Sequence, residues 1–437
     1  MRVDVVGGGI AGLAAAWFAE RAGDDVVLHE AEQRLGGKIR TVDLHGRPVE
    51  LGPDAFLARV PDAADLCRAV GLGDELVSPA TGTAYLLHGT RLRRLPEGLV
   101  LGVPSDPVAV ARAGILSPAG LARAAVEPFL PGRPLDRDAS VAAVVRQRFG
   151  PEVLEKLVDP LVSGINAGDT EQLSIDATTP QLAALARGDR SLLLGARKLT
   201  RGRRPGDPVF LTVGGGLRRL VDTLRARLTR TEVRTGAPVA SLDQLDGDAT
   251  VLAVPAFAGA ALLEERAPDA ARALAEIDYA SVVLTVLAYP AEAVTRPVDG
   301  SGFLVPRREG RLTTACSVAS RKWPHWAREG EVLLRVSAGR AGDDRAMALD
   351  DDELVDRLHG ELAGVLGLTA APTWSQVARW PRSFPQYAVG HLDVVDRIEA
   401  ALPADMAVAG AAYRGVGLPA CVASARRAVE RLSRQRP

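Results

Sequence analysis

Residues that ligate metals or form disulfides are scarce in this chain. Its 437 residues include three widely separated cysteines, Cys67, Cys316 and Cys421, and six histidines that form no close pair. This spacing matches no zinc or iron motif and offers no disulfide framework. We therefore expect no metal site. We interpret the cysteines as reduced packing residues of a cytoplasmic protein.

The chain also has no excess of either charge and no long apolar run. Its 53 lysines and arginines are balanced by 54 aspartates and glutamates, which gives a formal net charge of −1. No basic field therefore favours nucleic acid as a partner. Because no run of about twenty apolar residues is present, we expect no membrane-spanning helix and at most peripheral membrane contact. The chain begins directly with an apolar strand, so we also expect no signal or transit peptide.

Glycine, by contrast, is plentiful, and three glycines form a dinucleotide-binding pattern near the N terminus. Gly7, Gly9 and Gly12 follow the apolar strand at residues 3–6 and precede a run of helix formers. In this context the first glycine permits a tight turn, the second lets backbone approach a pyrophosphate, and the third lets helix pack on strand. Glu30 ends the next strand and is placed to bind ribose hydroxyls, which favours FAD or NAD over NADP. A tight turn without a ligand is the alternative interpretation.

Two further glycine-containing segments indicate loops beside the cofactor. Residues 32–41 read EQRLGGKIRT, and a glycine pair followed by a basic residue suits a loop that crosses a dinucleotide. Residues 51–56 read LGPDAF, which indicates another turn with close backbone approach. Both segments therefore belong to the predicted cofactor site.

The C-terminal segment predicts the closing half of the same site. Residues 406–427 read MAVAGAAYRGVGLPACVASARR, a strand, a glycine-rich loop and a helix opened by Pro419. The start of a helix carries partial positive charge, which stabilises the electron-rich end of a reduced flavin ring. Nicotinamide-dependent dehydrogenases need no such returning element. The pattern therefore favours FAD.

The order of strand and helix patterns predicts an α/β fold, α+β overall, with a Rossmann-like domain assembled from discontinuous segments. We expect the FAD-binding domain to comprise residues 1–83, 209–265 and 386–437. Residues 84–208 are expected to form an inserted, mainly helical domain that lines the substrate and could contact a membrane. Residues 266–385 are expected to form an antiparallel-sheet substrate domain.

Taken together, these motifs resemble those of the FAD-dependent porphyrinogen oxidases within the amine-oxidase superfamily. The resemblance runs the length of the chain and rests on GGGIAG, HEAEQRLGGKIRT, LGPDAF, FGPEVLEKLVDPLVSGINAGD, VGGGLRRLVDTL, GFLVP, ARWPRSFPQYAVGH and GAAYRGVGLPACV. The last two motifs and the SGINAGD turn are specific to that family. Among its members the chain is most similar to the soluble Gram-positive enzymes that oxidise coproporphyrinogen III to coproporphyrin III.

The resemblance implies a six-electron oxidation in haem biosynthesis, taken as three hydride transfers, with dioxygen as acceptor and hydrogen peroxide as by-product. Because aromatisation of the macrocycle drives the reaction, no side chain is assigned as a catalytic base. A downstream ferrochelatase is the implied partner. Oxidation of protoporphyrinogen IX, another flavin amine oxidase or carotene desaturase, and a non-catalytic FAD-bound scaffold are the alternatives.

The resemblance also implies which residues contact a non-covalently bound FAD and the substrate. The FAD contacts are Gly7, Gly8, Gly9, Ile10, Ala11, Gly12, Glu30, Ala31, Lys38, Gly52, Pro53, Asp54, Ala55, Val239, Trp380, Val416, Gly417 and Leu418. Val239 is expected on a short strand around residues 238–242 that reads the adenine. The substrate contacts are Gly164, Asn166, Gly168 and Arg59, and Asn166 stands where the family usually has an aromatic residue.

Substrate propionates need cations, and the chain offers several besides Arg59. The candidates are Arg335, Arg340 and the basic cluster of Arg197, Lys198, Arg201, Arg203 and Arg204. For each of these, a solvated surface charge is the alternative interpretation.

Overall fold

The computed structural model describes residues 1–130, 134–201 and 208–434. Within these ranges the strands are β1 (Arg2–Val6), β2 (Asp25–Glu30), β3 (Thr41–Asp43), β4 (Pro48–Glu50), β5 (Phe56–Leu57), β6 (Leu76–Val77), β7 (Ala84–His88), β8 (Arg91–Arg94), β9 (Phe210–Val213), β10 (Glu232–Thr235), β11 (Ala249–Leu252), β12 (Tyr279–Pro290), β13 (Gly302–Leu304), β14 (Thr313–Val318), β15 (Glu331–Ala338), β16 (Trp374–Pro385) and β17 (Met406–Val408).

The helices of the same ranges are α1 (Ile10–Arg21), α2 (Pro61–Val70), α3 (Pro107–Ala113), α4 (Pro118–Ala125), α5 (Val141–Phe149), α6 (Pro151–Val153), α7 (Asp159–Asn166), α8 (Ile175–Thr178), α9 (Pro180–Gly188), α10 (Leu192–Thr200), α11 (Arg218–Arg227), α12 (Ala256–Leu263), α13 (Pro268–Ala275), α14 (Ala319–Lys322), α15 (Arg345–Ala348), α16 (Asp351–Leu366), α17 (His391–Ala401) and α18 (Leu418–Ser433). None of these helices is long and apolar enough to cross a bilayer.

The first compact unit consists of Met1–Ser78, Pro208–Asp278 and His391–Pro437. A five-stranded parallel sheet in the order β10-β2-β1-β11-β17 forms its centre. This order is typical of a doubly wound nucleotide-binding sheet, in which ligands bind beyond the carboxyl ends of the strands. Buried alanines of α1 allow α18 to pack closely against it, so both ends of the chain share one core.

The second unit consists of Pro79–Asp207 and Tyr279–Gly390. Its sheet has the order β16-β12-β15-β14-β13-β7-β8 and is antiparallel except where β13 pairs with β7. Strand β12, which lies between β16 and β15, reads YASVVLTVLAYP, and most of its side chains are buried. Helices α3 to α10 surround a second core of mainly aliphatic residues.

The organisation differs from the expectation in the grouping of the segments and in where the units begin and end. The β7–β8 hairpin joins the antiparallel sheet, so residues 84–208 and 266–385, expected as separate domains, lie largely within one unit. Residues 266–278 belong instead to the first unit because α13 packs against α12 and α17. No local sequence pattern predicts which strands and helices pair when they lie this far apart in the chain.

The prediction of a strand around residues 238–242 is wrong. The chain leaves β10 after Thr235 and continues as irregular backbone to a single 3-10 turn at Leu242–Gln244. Gly236, at φ +63°, turns the chain out of the sheet, and Pro238 has no N–H to donate to a neighbouring strand. Val239 therefore lies in a loop beyond β10.

Candidate active site

The glycine fingerprint in the first unit has the geometry that a bound dinucleotide requires. Gly7 has φ +106°, and a Cβ on it would lie 2.6 Å from the carbonyl oxygen of Ala253. A Cβ on Gly12 would lie 1.8 Å from the carbonyl oxygen of Gly7, because the start of α1 presses on the turn. A Cβ on Gly9 would meet nothing closer than the Cα of Gly37 at 4.0 Å. The first and third glycines are thus needed for packing, whereas the second leaves open space over the backbone.

Glu30 is held beside this loop by backbone hydrogen bonds. The Gly8 N–H donates to its Oε2 at 2.6 Å, and the Glu32 N–H donates to its Oε1 at 2.8 Å. Each carboxylate oxygen can accept two hydrogen bonds, so both retain acceptor capacity for ribose hydroxyls. Ala31, the next predicted residue, is exposed at the end of β2. The half-buried Val239 follows Ala237, whose N–H donates to the Glu30 carbonyl at 2.9 Å, so the loop beyond β10 also approaches this position.

The segment with the glycine pair packs against the fingerprint. Gly36 donates its N–H to the carbonyl of Gly8 at 2.8 Å. Gly37, at φ +54°, comes so near that a Cβ on it would lie 3.2 Å from the Cα of Gly9. Lys38 follows with an exposed side chain, although surrounding protein atoms desolvate its ammonium and lower its pKa. That combination is typical of a cation lining a groove.

The LGPDAF turn packs directly on this loop. A Cβ on Gly52 would lie 1.9 Å from the carbonyl oxygen of Lys38. Residues 53–55 follow in half-buried, irregular backbone. Glu50, which the sequence analysis missed, anchors the turn because its buried carboxylate accepts the Leu217 N–H at 2.6 Å. A glutamate directly before a glycine turn was the available signal. Arg59 lies just beyond β5 with an exposed side chain.

The closing loop meets the start of α1. Gly410, at φ +127°, donates its N–H to Ser424 Oγ at 3.2 Å, and a Cβ on it would lie 3.8 Å from the Cβ of Ala11. Gly417 caps α18 in an extended conformation, and the first turn of that helix contains no acidic residue. Val416 is half-buried, Gly417 is exposed and Leu418 is buried. The positive end of a sixteen-residue helix is thus presented beside the fingerprint.

Cys421 in the first turn of α18 is a packing residue. Its side chain is buried, and burial raises the pKa of its thiol to about 11, with a smaller opposing effect of Lys38. The electrostatic contact with Lys38 shows that the glycine-pair loop and the start of α18 lie near each other. Burial likewise raises the pKa of the Cys67 thiol to about 12. Among the described residues, no group of three or more His, Cys, Asp or Glu could hold a metal ion.

The predicted substrate turn lies in the second unit, at the end of an irregular helix. The helix passes through a π-helical turn at Leu154–Val158, a form that often marks functional sites, and ends at Asn166. The Asn166 side chain is buried and donates from Nδ2 to the Val162 carbonyl at 2.9 Å, so it points back to its own helix. Gly164 is exposed, whereas Gly168 is buried against Leu173.

Two apolar residues mark the exposed face of this region. Ile165, in the last turn of helix α7, is 48% exposed, and the sequence analysis missed it although an apolar residue in SGINAGD was a usable signal. Trp380 of β16 is half-buried against Ala167, Ala280 and Val282, where the pairing of β12 with β16 is bulged. The predicted cofactor residue Trp380 and the predicted substrate turn therefore share one apolar cluster.

The remaining sequence candidates divide between the surface and the interior. Lys198 forms an ion pair with Asp189 at 2.7 Å, and Arg197 is exposed at the end of α10. Arg203 and Arg204 lie outside the described residues. His391 is buried, and its Nε2 lies 2.7 Å from the carbonyl oxygen of Tyr413, which indicates a structural role.

The model of the family described as flavin containing amine oxidoreductase matches residues 10–433. A protein named coproporphyrinogen III oxidase from Bacillus subtilis is 35% identical over 457 residues, which cover 98% of this chain and 97% of the relative. A protein of the same name from Mycobacterium tuberculosis H37Rv is 38% identical over 442 residues, covering 97% and 96%. The crystal structure of an Exiguobacterium sp. 255-15 protein, provisionally named a protoporphyrinogen oxidase, has a TM-score of 0.89 at 33% identity and covers 100% of this chain and 99% of that one.

These matches extend over nearly the whole chain. The resemblance predicted from the motifs is therefore confirmed, as are the α/β fold class, the oxidoreductase activity and the FAD cofactor. The chain belongs to the flavin containing amine oxidoreductase family.

Proposed function

We propose that this chain is an oxygen-dependent FAD oxidase that converts coproporphyrinogen III to coproporphyrin III in haem biosynthesis. The observation that carries this proposal is the similarity, over almost the full length of each chain, to two proteins named for that reaction. The proposal includes dioxygen as the electron acceptor, hydrogen peroxide as the by-product and a ferrochelatase as the downstream partner.

The residues of the first unit suit FAD. The open backbone at Gly9 and the start of α1 would bind the pyrophosphate, because the first N–H groups of a helix have no partner within it. Glu30 would accept hydrogen bonds from the ribose hydroxyls. Lys38 and the start of α18 would provide positive charge at the ring end of the site, near Gly417.

FAD, when bound, would supply the two-electron acceptor chemistry that oxidation of each bridging carbon needs, with dioxygen as the final acceptor. The side chains bind and orient the macrocycle and exclude water from the reacting carbon. Because aromatisation drives the oxidation, loss of a pyrrole proton to water needs no dedicated base. The buried His391 has its Nε2 in contact with the Tyr413 carbonyl oxygen, which supports a mechanism in which this histidine is not the base.

Oxidation of protoporphyrinogen IX is the second candidate. It is favoured by one observation, the similarity at 33% identity to the Exiguobacterium structure. The two substrates differ in charge, since coproporphyrinogen III carries four propionates and protoporphyrinogen IX carries two propionates and two vinyl groups. A site that binds more propionates leaves cations unpaired when the second substrate binds, which lowers affinity.

The test is the rate of porphyrin fluorescence increase in air with each porphyrinogen, at two ionic strengths. We expect kcat/KM to favour coproporphyrinogen III by about tenfold or more, since loss of one charge-assisted contact costs roughly 1.5–3 kcal/mol. The preference should decrease as salt rises because partly exposed ion pairs are screened. Preference for protoporphyrinogen IX would support the second candidate. Oxidation of an amine or a polyene alone would indicate another activity of the family, and FAD retention without any turnover would indicate a scaffold.

A further inference from the structure

A pocket of about 370 Å³ in the second unit is lined by more positively charged than negatively charged side chains. Its lining residues are Arg307, Gly310, Arg340, Gly342, Asp343, Asp344 and Arg345. Arg345 donates to both carboxylate oxygens of Asp343, at 2.8 and 2.7 Å, so these two charges neutralise each other. Arg307 and Arg340 remain, opposed by the exposed Asp344. The lining therefore has an excess of about one positive charge.

Arg340 is the unusual member of this lining. Its side chain is only 5% exposed. Among the described residues, its buried Nε has no hydrogen-bond partner and its guanidinium forms no ion pair. Burial lowers the pKa of Arg340, and the positive charge of Arg307 lowers it further. A buried guanidinium without a paired carboxylate destabilises a fold, so its presence needs another reason.

Arg307 connects the pocket to residues 167–169, the turn that follows α7. Its Nη2 donates to the carbonyl of Gly168 at 3.0 Å, and its buried Nε has no hydrogen-bond partner among the described residues. Ala341, next to Arg340, donates its N–H to the carbonyl of Ala167 at 2.8 Å. A group bound by the two arginines would therefore have a fixed position relative to that turn.

Asp159 provides only partial compensation for the two arginines. It is buried, and the Thr170 hydroxyl donates to its Oδ1 at 2.7 Å. It interacts electrostatically with Arg307 and Arg340 but forms an ion pair with neither within the described residues. Burial raises the pKa of Asp159, and the nearby Asp169 acts in the same direction. The sequence analysis missed both Asp159 and Arg307, since burial of a charge leaves no sequence pattern.

We propose that Arg340 and Arg307 form a carboxylate-binding site and that its ligand is a propionate arm of the porphyrinogen. The identity of the arm rests on the proposed function, whereas the carboxylate chemistry rests on the pocket. An arginine presents a planar fork of donors that matches a carboxylate. An excess of about one positive charge suits a monoanion better than a phosphate dianion. The volume of the pocket is sufficient for an arm and not for the whole macrocycle.

The test uses the FAD-loaded full chain and its product, so that binding is measured without turnover. We expect Arg340→Met to weaken binding of coproporphyrin III, followed by porphyrin fluorescence, by about tenfold or more. Arg340→Lys should weaken it less because the charge is kept. Arg308→Gln is the matched control, since Arg308 is an exposed neighbour whose nearest carboxylate oxygen, on Glu155, is 3.8 Å away. It should bind coproporphyrin III as the unchanged protein does.

Two readouts separate binding from folding. The melting temperature of Arg340→Met should equal or exceed that of the unchanged protein, because an unpaired buried cation has been removed. Coproporphyrin III tetramethyl ester, which has the same ring without charge, should bind both proteins equally. Unchanged affinity of Arg340→Met for coproporphyrin III, or an equal loss with the ester, would overturn the site.

A separate experiment distinguishes failure of the carboxylate site from failure of the proposed function. If the unchanged protein neither binds nor oxidises any porphyrin, the proposed function fails, and propionate and inorganic phosphate alone then test the pocket. A rise in melting temperature with propionate that is absent in Arg340→Met supports a carboxylate site. No rise, an equal rise in both proteins, or a larger rise with phosphate overturns it.

Discussion

Gly12 and Gly7 approach each other so closely that a Cβ on Gly12 would lie 1.8 Å from the Gly7 carbonyl oxygen. This contact joins the first turn of α1 to the end of β1. It fixes the distance between the helix N-terminus and the strand, and therefore the width of the phosphate loop.

Gly12→Ala and Gly9→Ala should lose FAD for different reasons. A methyl group at Gly12 collides with backbone, so we expect it to destabilise the fold by roughly 2–3 kcal/mol and to abolish FAD binding. A methyl group at Gly9 meets only the Gly37 Cα, at an ordinary van der Waals distance of 4.0 Å, so the melting temperature should be unchanged while FAD content falls. FAD released by heating and thermal unfolding of the FAD-free proteins measure both effects.

Gly360→Ala is the control for these two variants. Gly360 lies within α16, and a Cβ on it would contact nothing within 4 Å. FAD content should be unchanged. Full FAD retention by Gly12→Ala would contradict the placement of the pyrophosphate.

Gly417→Glu should slow flavin reduction by about tenfold while FAD content stays near that of the unchanged protein. A Cβ at Gly417 would meet Pro419 Cδ at an ordinary 3.6 Å, and its backbone is extended, so the fold tolerates a side chain. The added carboxylate opposes the negative charge that develops on reduction. Gly417→Gln, of equal size and no charge, is the control. Equal anaerobic reduction rates of the two variants in rapid mixing would argue against this placement of α18.

Glu152→Gln should lower stability at neutral pH but not in acid. Burial alone would raise the pKa of Glu152, but hydrogen bonds from Lys156 and Ser117 lower it to about 2, below the ordinary value of 4.5. The folded protein therefore holds this proton less tightly than the unfolded chain, and the stabilisation is present above pH 4.5 and is lost as pH falls towards 2. We expect a loss of about 2 kcal/mol at pH 7 that shrinks below pH 4.5.

Chemical denaturation across this pH range measures the effect. Glu155→Gln, which removes an exposed carboxylate on the same helical segment, is the control. A difference between Glu152→Gln and the unchanged protein that is constant with pH would mean that Glu152 contributes by packing alone.

Features encoded by neighbouring residues could be predicted from the sequence. The strand, glycine turn and helix at Gly7–Gly12, the acidic residue at Glu30 and the helix after Gly417 all depend on short-range backbone geometry. The pairing of β7 with β13 joins segments more than two hundred residues apart, and no local pattern announces it. The grouping of the helical and antiparallel segments in one unit could not be predicted for that reason.

The burial of charged side chains was the second feature that could not be predicted from the sequence. Arg340 was a candidate for propionate binding, but the sequence could not distinguish it from a solvated surface charge. Arg307 and Asp159 gave no signal, because their positions beside Arg340 depend on β13, β15 and the π-helical segment coming together. Val239 was predicted on a strand around residues 238–242, but the strand in this region is β10, which ends at Thr235 and is followed by Gly236 and Pro238.

The stoichiometry of the aerobic reaction tests the central claim most directly. With purified, FAD-loaded protein, oxygen uptake and peroxide formation are measured together with coproporphyrin III formed from a known amount of coproporphyrinogen III. A six-electron oxidation in three two-electron steps predicts three dioxygen molecules consumed and three peroxide molecules formed for each coproporphyrin III. Oxygen uptake without porphyrin formation, or porphyrin formation at the rate seen without protein, would contradict the account.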